Sequence, residues 1–249
     1  MKQVVADFST GECQVRDVPP PVVGEGGVLV RNRWSLISTG TEGGTVKLGR
    51  MSLLGKARAR PEQARKVLAL ARTQGLLVAY NAARRALEMP IVLGYCCAGE
   101  VIAVGAGVTD LAVGDLVACG GPGHANHAEI VAVPRNLCVP VPAGLDARAA
   151  AFTTLGAVAL QAVRIADARL GENVVVIGLG LVGLLAVELL RAAGCRVFGI
   201  DRDPLRARFV ADRGWGASAG STWRSSSGPS CTTRSRSPRT GMPLKRQSR

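Results

Sequence analysis

Three glycines and one acidic residue have the spacing of a phosphate-binding turn. Gly178, Gly180 and Gly183 follow the aliphatic run VVVI and open a helix-forming segment, and Asp201 ends the next aliphatic run. In such a turn the first glycine permits a tight bend, the second lets a pyrophosphate approach the backbone, and the third lets the helix pack closely on the strand. The free N–H groups of the helix then face the phosphates. The pattern predicts a dinucleotide site.

The predicted cofactor-binding residues are those of the turn and the two that end the second strand. They are Gly178, Leu179, Gly180, Leu181, Val182, Gly183, Asp201 and Arg202. A carboxylate at this place accepts hydrogen bonds from both adenosine ribose hydroxyls and repels a 2′-phosphate, which favours NAD over NADP. Arg202 can instead pair with that phosphate, so NADP stays open. The alternative interpretation is a glycine-rich turn in an α/β protein that binds no nucleotide.

The residues around the turn alternate between strand and helix patterns. After a helical stretch at 146–167, the sequence predicts a strand at 173–178, a helix at 181–193, a strand at 195–200 and a helix at 204–213. Asp203 has the position of a helix cap, and Pro204 that of the first helical residue. This order predicts a Rossmann domain, a doubly wound parallel sheet, over residues 146–217. Two strands are recognisable, so we expect the sheet to be incomplete.

The segments before and after this domain differ from it in composition and in hydrophobic pattern. Residues 1–145 contain short alternating runs broken by glycine and proline, which is typical of a small β-barrel. Within them, segment 47–88 is rich in alanine, leucine and arginine and predicts an inserted pair of helices. Residues 218–249 are rich in serine and arginine and contain no acidic residue, a composition that cannot bury a core. We interpret them as a disordered or frameshifted tail.

Most of the formal net charge of +13 comes from two segments. Residues 47–88 contribute +8 and residues 219–249 contribute +7, so the remainder of the chain is nearly neutral. A basic segment of this kind raises polyanion binding as an alternative function. The seven cysteines include no C-x-x-C pair, which fits a reducing compartment and predicts a cytoplasmic protein. No apolar run reaches the ~20 residues that a membrane span needs, so no membrane partner is expected.

Longer segments carry a family resemblance. They are VPPPVVGEGGVLVR, SLISTGTE, GYCCAGEVIAVGAGVTDLAVGDLVA, HAEIVAVPRNL, GENVVVIGLGLVG and GIDRDPLRARFVADRGWGA. Together they resemble the medium-chain dehydrogenase/reductase superfamily, the alcohol dehydrogenase-like proteins with a GroES-like β-barrel followed by a Rossmann domain. SLISTGTE followed by the helical insertion resembles, more narrowly, bacterial bi-domain oxidoreductases associated with cell-surface sugar synthesis. The resemblance covers residues 1 to about 217.

The resemblance implies NAD(P)-dependent hydride transfer to or from a carbonyl or alcohol of a small substrate. Zinc-dependent relatives hold their metal with two cysteines and a histidine, and alignment places Thr39, Tyr95 and about Leu155 at these positions. We therefore predict no zinc. Tyr95 is then the predicted hydrogen-bond donor to the substrate, with Thr39 and Glu42 on the loop that lines the same cleft in relatives. The alternatives are that Tyr95 is a packing residue and that Glu42 orients the loop backbone.

Two further groups of residues have a structural and a chemical interpretation. His124 and His127 have H-x-x-H spacing with Cys119 nearby, but histidines in a glycine-rich turn are more typical of surface or turn positions, and we predict that for both. Cys96 and Cys97 are predicted to be buried apolar residues and not nucleophiles.

Two alternatives to a working oxidoreductase stay open. One is an inactive, truncated dehydrogenase fragment, and the other is a non-catalytic protein that binds a dinucleotide or a polyanion. Nucleic acid is not the expected partner, because the basic charge lies in two segments outside the predicted catalytic body. A homo-oligomer is compatible with the sequence.

Overall fold

Two compact units make up the part of the chain that is described in the computed structural model, residues 1–7, 10–52, 55, 58, 61–88 and 90–220. One unit comprises residues 1–167 and 181–189, and the other comprises residues 168–180 and 190–220. The first unit therefore continues about twenty residues beyond the domain boundary predicted at 145.

Antiparallel sheets form the frame of the first unit. Its strands are β1 (Lys2–Ala6), β2 (Cys13–Asp17), β3 (Gly27–Ser35), β4 (Ile91–Val92), β5 (Cys96–Val104), β6 (Leu116–Gly120), β7 (Ile130–Pro134) and β8 (Cys138–Pro140). The larger sheet has the order β7-β3-β5-β6-β8, and the smaller has the order β2-β1-β4. The larger sheet curls into a half-barrel, which confirms the predicted β-rich first domain.

The core of the half-barrel follows from the alternation of side chains along its strands. Val28 and Val30 on β3 point inward with Val131 and Val133 on β7, which pair with them in register. Residues two apart share one face of a strand, so these four valines form a continuous apolar surface. Each is almost fully buried and stabilises the fold by roughly 1.5 kcal/mol or more.

Helices flank this frame. They are α1 (Thr41–Gly49), α2 (Pro61–Gln74), α3 (Leu76–Glu88), α4 (Ala147–Ala150) and α5 (Thr153–Ala166). Helices α2 and α3 pack on each other, which confirms the predicted helical pair within 47–88. The single helical stretch predicted at 146–167 is instead divided in two. At the break, the hydroxyl of Thr153 donates to the carbonyl of Ala150 at 2.7 Å and satisfies a helix-end acceptor.

The second unit contains a parallel sheet. Its strands β9 (Asn173–Ile177), β10 (Arg196–Asp201) and β11 (Gly216–Ala219) have the order β11-β10-β9. In chain order β9 is followed by helix α6 (Leu181–Ala192), most of which is counted with the first unit, and helix α7 (Pro204–Ala211) packs on β10 and β11. The Asp203 carboxylate accepts the Leu205 N–H at the start of α7, which confirms the predicted cap. The sheet and helices confirm an incomplete Rossmann domain.

Strand β11 corrects the expectation of two strands. Its sequence, GASA, has small residues with no strand preference, so its pattern could not be recognised. Gly216 has a local reason, because a Cβ there would lie 2.6 Å from the ring of Phe198. The last two residues of the strand, Ser218 and Ala219, fall within the predicted tail, and residues 221–249 lie outside the described part of the chain.

Within the described residues, every helix is too short or too polar to cross a lipid bilayer.

Candidate functional site

The glycine turn lies where the spacing predicted it, between β9 and α6. Gly178 follows Ile177, the last residue of β9, and has φ +94°, in the left-handed region that favours glycine. Its N–H donates to the carbonyl of Ile200 on β10 at 2.7 Å. The tight turn predicted for Gly178 is therefore confirmed.

The surface beside the second glycine is open. A Cβ added at Gly180 would meet only the Nη1 atom of Arg206, at 3.7 Å. Leu179 turns inward instead and is buried against Gly199, where an added Cβ would lie 2.7 Å from a Leu179 methyl group. Leu181, Val182 and Gly183 form the first turn of α6. The backbone at Gly180 is thus accessible to a ligand, while the side chain next to it anchors the turn.

Asp201, at the end of β10, is bound directly to the turn. Its Oδ2 accepts the N–H of Leu179 at 2.6 Å, and its Oδ1 accepts the N–H of Asp203 at 2.8 Å. The N–H of Asp203, and then that of Leu179, hold the pKa of the Asp201 carboxyl below its usual range. An ionised carboxylate therefore lies against the turn, and each oxygen retains a lone pair for a further donor.

Arg206 on α7 is a charged group at the turn that the sequence analysis did not single out. Its Nη1 lies 3.7 Å from Asp201 Oδ2, and its Nε lies 3.6 Å from Asp203 Oδ2. Arg202, which was singled out, is exposed. The sequence position of Arg206 could have indicated this contact. A long side chain in the first turn of the helix after the second strand can reach back to the end of that strand.

The three residues predicted for catalysis lie in the first unit. Thr39 is exposed on the segment between β3 and α1, and Tyr95 is half-buried immediately before β5. Glu42 is in the first turn of α1 and is only 7% exposed. Its Oε1 accepts the N–H of Ser38 at 2.9 Å, so Glu42 does orient the loop backbone, as one of the two interpretations proposed.

Glu42 also forms a buried pair with a histidine from a distant part of the chain. Its Oε2 lies 2.8 Å from Nε2 of His127, which is 8% exposed, and Nδ1 of the same ring lies 2.9 Å from the Ser35 hydroxyl. The carboxylate can only accept, so Nε2 carries the hydrogen; in the neutral ring, Nδ1 then accepts from Ser35. The three side chains form one continuous hydrogen-bonded chain.

The surrounding backbone holds His127 firmly. Its N–H donates to the Leu93 carbonyl at 2.9 Å, and its carbonyl accepts the Val4 N–H at 2.8 Å. Gly94, with φ +96°, lies so close that an added Cβ would be 2.5 Å from the His127 nitrogen and 2.9 Å from its ring. The Asn32 amide donates to the carbonyls on either side, those of Asn126 and Ala128. The position of the imidazole is therefore fixed by the fold.

Of the surface or turn position predicted for His127, the turn part fits, since the residue lies in a bend, but the side chain is buried and not at the surface. The H-x-x-H spacing and glycine-rich turn describe only its neighbours in the chain, whereas its burial comes from contacts with Glu42 and Ser35, 85 and 92 residues away. His124 is half-buried in the turn, where its N–H donates to the Gly121 carbonyl at 3.2 Å.

Comparisons with known proteins agree with this architecture. Residues 69–143 match the family described as the alcohol dehydrogenase GroES-like domain. The described fold resembles the crystal structure of galactitol-1-phosphate dehydrogenase from Escherichia coli, with a TM-score of 0.67 and 23% identity over 89% of this chain and 61% of that one. The chain is therefore similar in one domain to the alcohol dehydrogenase GroES-like family, and its described fold is similar to that of a medium-chain dehydrogenase.

Relatives within this superfamily are similar in sequence over about half of the chain. D-guloside 3-dehydrogenase from Shigella flexneri is 37% identical over 125 residues, which are 50% of this chain and 35% of the relative. (R,R)-butanediol dehydrogenase from Bacillus subtilis (strain 168) is 30% identical over 151 residues, which are 50% of this chain and 43% of the relative. The matched regions thus span less than half the length of these relatives.

The zinc of many medium-chain dehydrogenases does not fit the residues present. Of the three corresponding positions, Leu155 is buried and has no donor atom, and Thr39 and Tyr95 have hydroxyls where zinc relatives have a thiolate and an imidazole. Among the described residues no cluster of three histidine, cysteine or acidic side chains is arranged to hold a metal ion.

The adjacent cysteines are packing residues, as predicted. Cys96 and Cys97 are completely buried. Burial, and to a lesser extent the negative charge of Glu42, raise the pKa of the Cys96 thiol to about 11. The thiolate is the nucleophilic form, so Cys96 is unreactive near neutral pH.

Proposed function

We propose that this protein is an NAD(P)-dependent oxidoreductase that moves a hydride between the nicotinamide and a hydroxyl-bearing or carbonyl carbon of a small substrate. The observation that carries the proposal is the docking of the Asp201 carboxylate on the open glycine turn. A structural turn has no need of an ionised side chain with spare acceptor capacity beside an accessible backbone, whereas an adenosine ribose and pyrophosphate need both. When bound, the cofactor supplies or accepts the hydride.

The proposed cofactor preference is NAD over NADP. Asp201 accepts from both ribose hydroxyls in this proposal, and its negative charge opposes a 2′-phosphate. Arg206 favours NADP instead, since a guanidinium beside Gly180 attracts the additional phosphate. Its attraction is partly neutralised by Asp201 and Asp203, which both lie within 4 Å of it. The balance favours NAD.

Catalysis is proposed to proceed without zinc, by hydrogen bonds to the substrate oxygen. As the carbon–oxygen bond changes order, a negative charge develops on that oxygen, and a neutral hydroxyl donor can stabilise it. Tyr95 is the proposed donor, and the Thr39 hydroxyl is proposed as a second donor. Glu42 is buried, with its Oε1 accepting the N–H of Ser38, the residue before Thr39. We propose that its carboxylate takes up or releases the proton that accompanies the hydride.

The proposed substrates are small polyols, sugars and their ketones. The two relatives are named for a D-guloside and for (R,R)-butanediol, both of which carry hydroxyl groups on a carbon chain or ring. We further propose a role in cell-surface sugar metabolism, in the cytoplasm, on the resemblance to bi-domain oxidoreductases alone.

One observation favours a second candidate function, polyanion binding. Helices α2 and α3 expose the cations Arg65, Lys66, Arg72 and Arg84. Polyanion binding through these cations would release counterions and fall steeply with added salt, whereas nucleotide binding at a glycine turn responds much less. Measurement of both affinities at 50 and 500 mM potassium chloride separates the two functions.

The experiment for the main proposal is a hydride-transfer assay on the full chain. Diacetyl, acetoin, 2,3-butanediol and methyl glycosides are supplied with NADH or NAD⁺ as the direction requires, and the absorbance of the reduced nicotinamide is followed. We expect turnover with at least one substrate and a loss of about 100-fold or more in kcat/KM for Tyr95→Phe. Turnover that is unchanged in Tyr95→Phe contradicts the proposed donor, and failure of the wild-type protein with every substrate contradicts the proposed activity on this class.

A further inference from the structure

We propose that the helical hairpin formed by α2 and α3 docks this protein on a membrane surface rich in anionic lipid, with its tip in the headgroup layer. The hairpin comprises α2 (Pro61–Gln74), Gly75 and α3 (Leu76–Glu88). The inference goes beyond the proposed hydride transfer and does not depend on it. It assigns one partner to the exposed cations that raise polyanion binding as a second function.

The covered side chains of the hairpin are few, and its outer surface is free. Helices α2 and α3 pack on each other, and within the described residues neither packs extensively on another element. Ala79 is buried, and Leu70 and Ala71 are half-buried. The other side chains of the hairpin that the structure describes are all exposed. This surface can therefore contact a partner without any rearrangement of the fold.

The tip of the hairpin is apolar. Gly75 turns the chain with φ +94°, and Leu76 and Leu77 follow it with exposures of 81% and 75%. Tyr80, one turn further along α3, is 63% exposed. Residues at i, i+1 and i+4 lie on one side of a helix, so the three side chains form a contiguous patch. A contiguous exposed apolar patch marks a surface that contacts a partner or a membrane.

Cations alternate with apolar side chains on the same surface. Two exposed stripes have the spacing i, i+3, i+7, which places each stripe on one helix face. They are Arg65, Leu68 and Arg72 on α2, and Leu77, Tyr80 and Arg84 on α3. Both acidic residues of segment 47–88, Glu62 and Glu88, lie at the helix ends away from the turn. The tip and the adjoining faces are therefore apolar and cationic.

This combination fits the headgroup layer of an anionic bilayer. Leucine side chains enter the boundary between headgroups and acyl chains, a tyrosine ring lies there with its hydroxyl toward water, and arginine and lysine stay level with the lipid phosphates. Each cation near such a surface adds to the attraction. The expectation of no membrane partner concerned spans, and a helix pair that lies at the interface needs no run of ~20 apolar residues.

Other partners fit the hairpin less well. A second copy of the chain would bring together two segments with a net charge of +8 each, which repel each other. Nucleic acid would pair with the cations but leave Leu76 and Leu77 in water. Peptides bind in grooves or along sheet edges, whereas the turn between two helices is convex. An anionic lipid surface uses the charge and the apolar tip together.

The first test is flotation of the full chain with vesicles of phosphatidylcholine, either alone or with about 30% phosphatidylglycerol. We expect an affinity at least about 10-fold higher for the anionic vesicles. Leu76→Ser/Leu77→Ser should lower this affinity about 10-fold, because the tip loses the apolar groups that enter the bilayer. The matched control is Val22→Ser/Val113→Ser, which removes two exposed apolar side chains from loops elsewhere in the first unit and should change little.

A second pair of variants separates the hairpin from the general attraction of a chain with a net charge of +13. Each variant removes three exposed cations, so both have the same net charge. Arg65→Gln/Lys66→Gln/Arg72→Gln should lower the affinity for anionic vesicles about 10-fold, and the control Arg16→Gln/Arg164→Gln/Arg208→Gln less than about 3-fold. Hydrogen exchange should be slower at residues 76–80 on the vesicles.

Equal affinity for neutral and anionic vesicles, or binding to neither, overturns the proposal. An unchanged affinity in the leucine variant overturns it as well. Binding to a DNA duplex in place of vesicles assigns the surface to nucleic acid, and a dimer that the leucine variant loses in ultracentrifugation assigns it to a second copy; either result overturns the lipid assignment. Hydride transfer by all four variants should equal that of the wild type, so the two proposals fail separately.

Discussion

At the scale of single residues, Asp201 serves the fold and the proposed ligand with the same carboxylate. Two backbone N–H groups hold the carboxylate against the glycine turn. Its remaining lone pairs are proposed to accept hydrogen bonds from the ribose hydroxyls. A side chain held in this way is already in place before the cofactor binds, which lowers the entropy cost of binding.

The Asp201→Ala variant tests this assignment. Loss of a charged acceptor removes hydrogen bonds worth about 1.5–3 kcal/mol, so NADH affinity should fall by about 10-fold or more. NADPH affinity should fall less or rise, since the repulsion of the 2′-phosphate is also removed. Titration calorimetry with both cofactors measures the ratio, and Asp212→Ala, an exposed aspartate at the end of α7, is the control. An unchanged NADH/NADPH ratio would show that Asp201 only closes the turn.

Residues whose role depends on neighbours in the chain could be predicted from the sequence, and those that depend on distant contacts could not. Asp203 and Pro204 predicted the start of α7 because a cap acts within three residues. The burial of His127 could not be predicted from its local H-x-x-H pattern, because its two partners lie more than 80 residues away in the chain. Nothing in the spacing of Ser35, Glu42 and His127 predicts that they meet; the half-barrel brings them together.

At the scale of elements, the segment before β5 positions the proposed catalytic side chains. Gly94 adopts φ +96° and allows the chain to pass within contact distance of His127. Tyr95 and Cys96 follow immediately, so the same bend sets the half-buried position of Tyr95.

Gly94→Ala should disturb both the fold and the pair. A Cβ costs about 1–3 kcal/mol in the left-handed region, and here it also overlaps the His127 backbone at 2.5 Å. We expect a lower free energy of unfolding in urea and a changed ¹⁵N environment of the His127 ring. Gly156→Ala is the matched control, because Gly156 is helical and an added Cβ has no atom within 4 Å. Equal stability of the two variants would contradict the tight packing at Gly94.

At the scale of the whole molecule, the two units have different sequence signals. The parallel sheet could be predicted because aliphatic strands, a glycine turn and a capped helix follow each other within forty residues. Strand β11 was missed because four small residues carry no pattern. The half-barrel was predicted as a class, but its pairing of β3 with β7, about 100 residues apart, is set by tertiary packing.

The absence of zinc is a prediction about the whole protein. Leucine, threonine and tyrosine at the three positions give no ligand set that binds zinc tightly. Elemental analysis of the dialysed full chain should find well below one zinc ion per molecule, and added chelator should leave hydride transfer unchanged. A stoichiometric zinc ion that survives dialysis would contradict this prediction.

The most direct test of the central claim is equilibrium binding of NADH to the full chain, measured by calorimetry in Gly180→Val and in the control Gly24→Val. Both glycines have open surroundings, so neither valine should prevent folding. At Gly180 the side chain occupies the surface that the pyrophosphate is proposed to cover, whereas Gly24 lies in a loop of the other unit. We predict binding in the wild type and in Gly24→Val and its loss in folded Gly180→Val. Equal affinity in all three proteins would contradict the account.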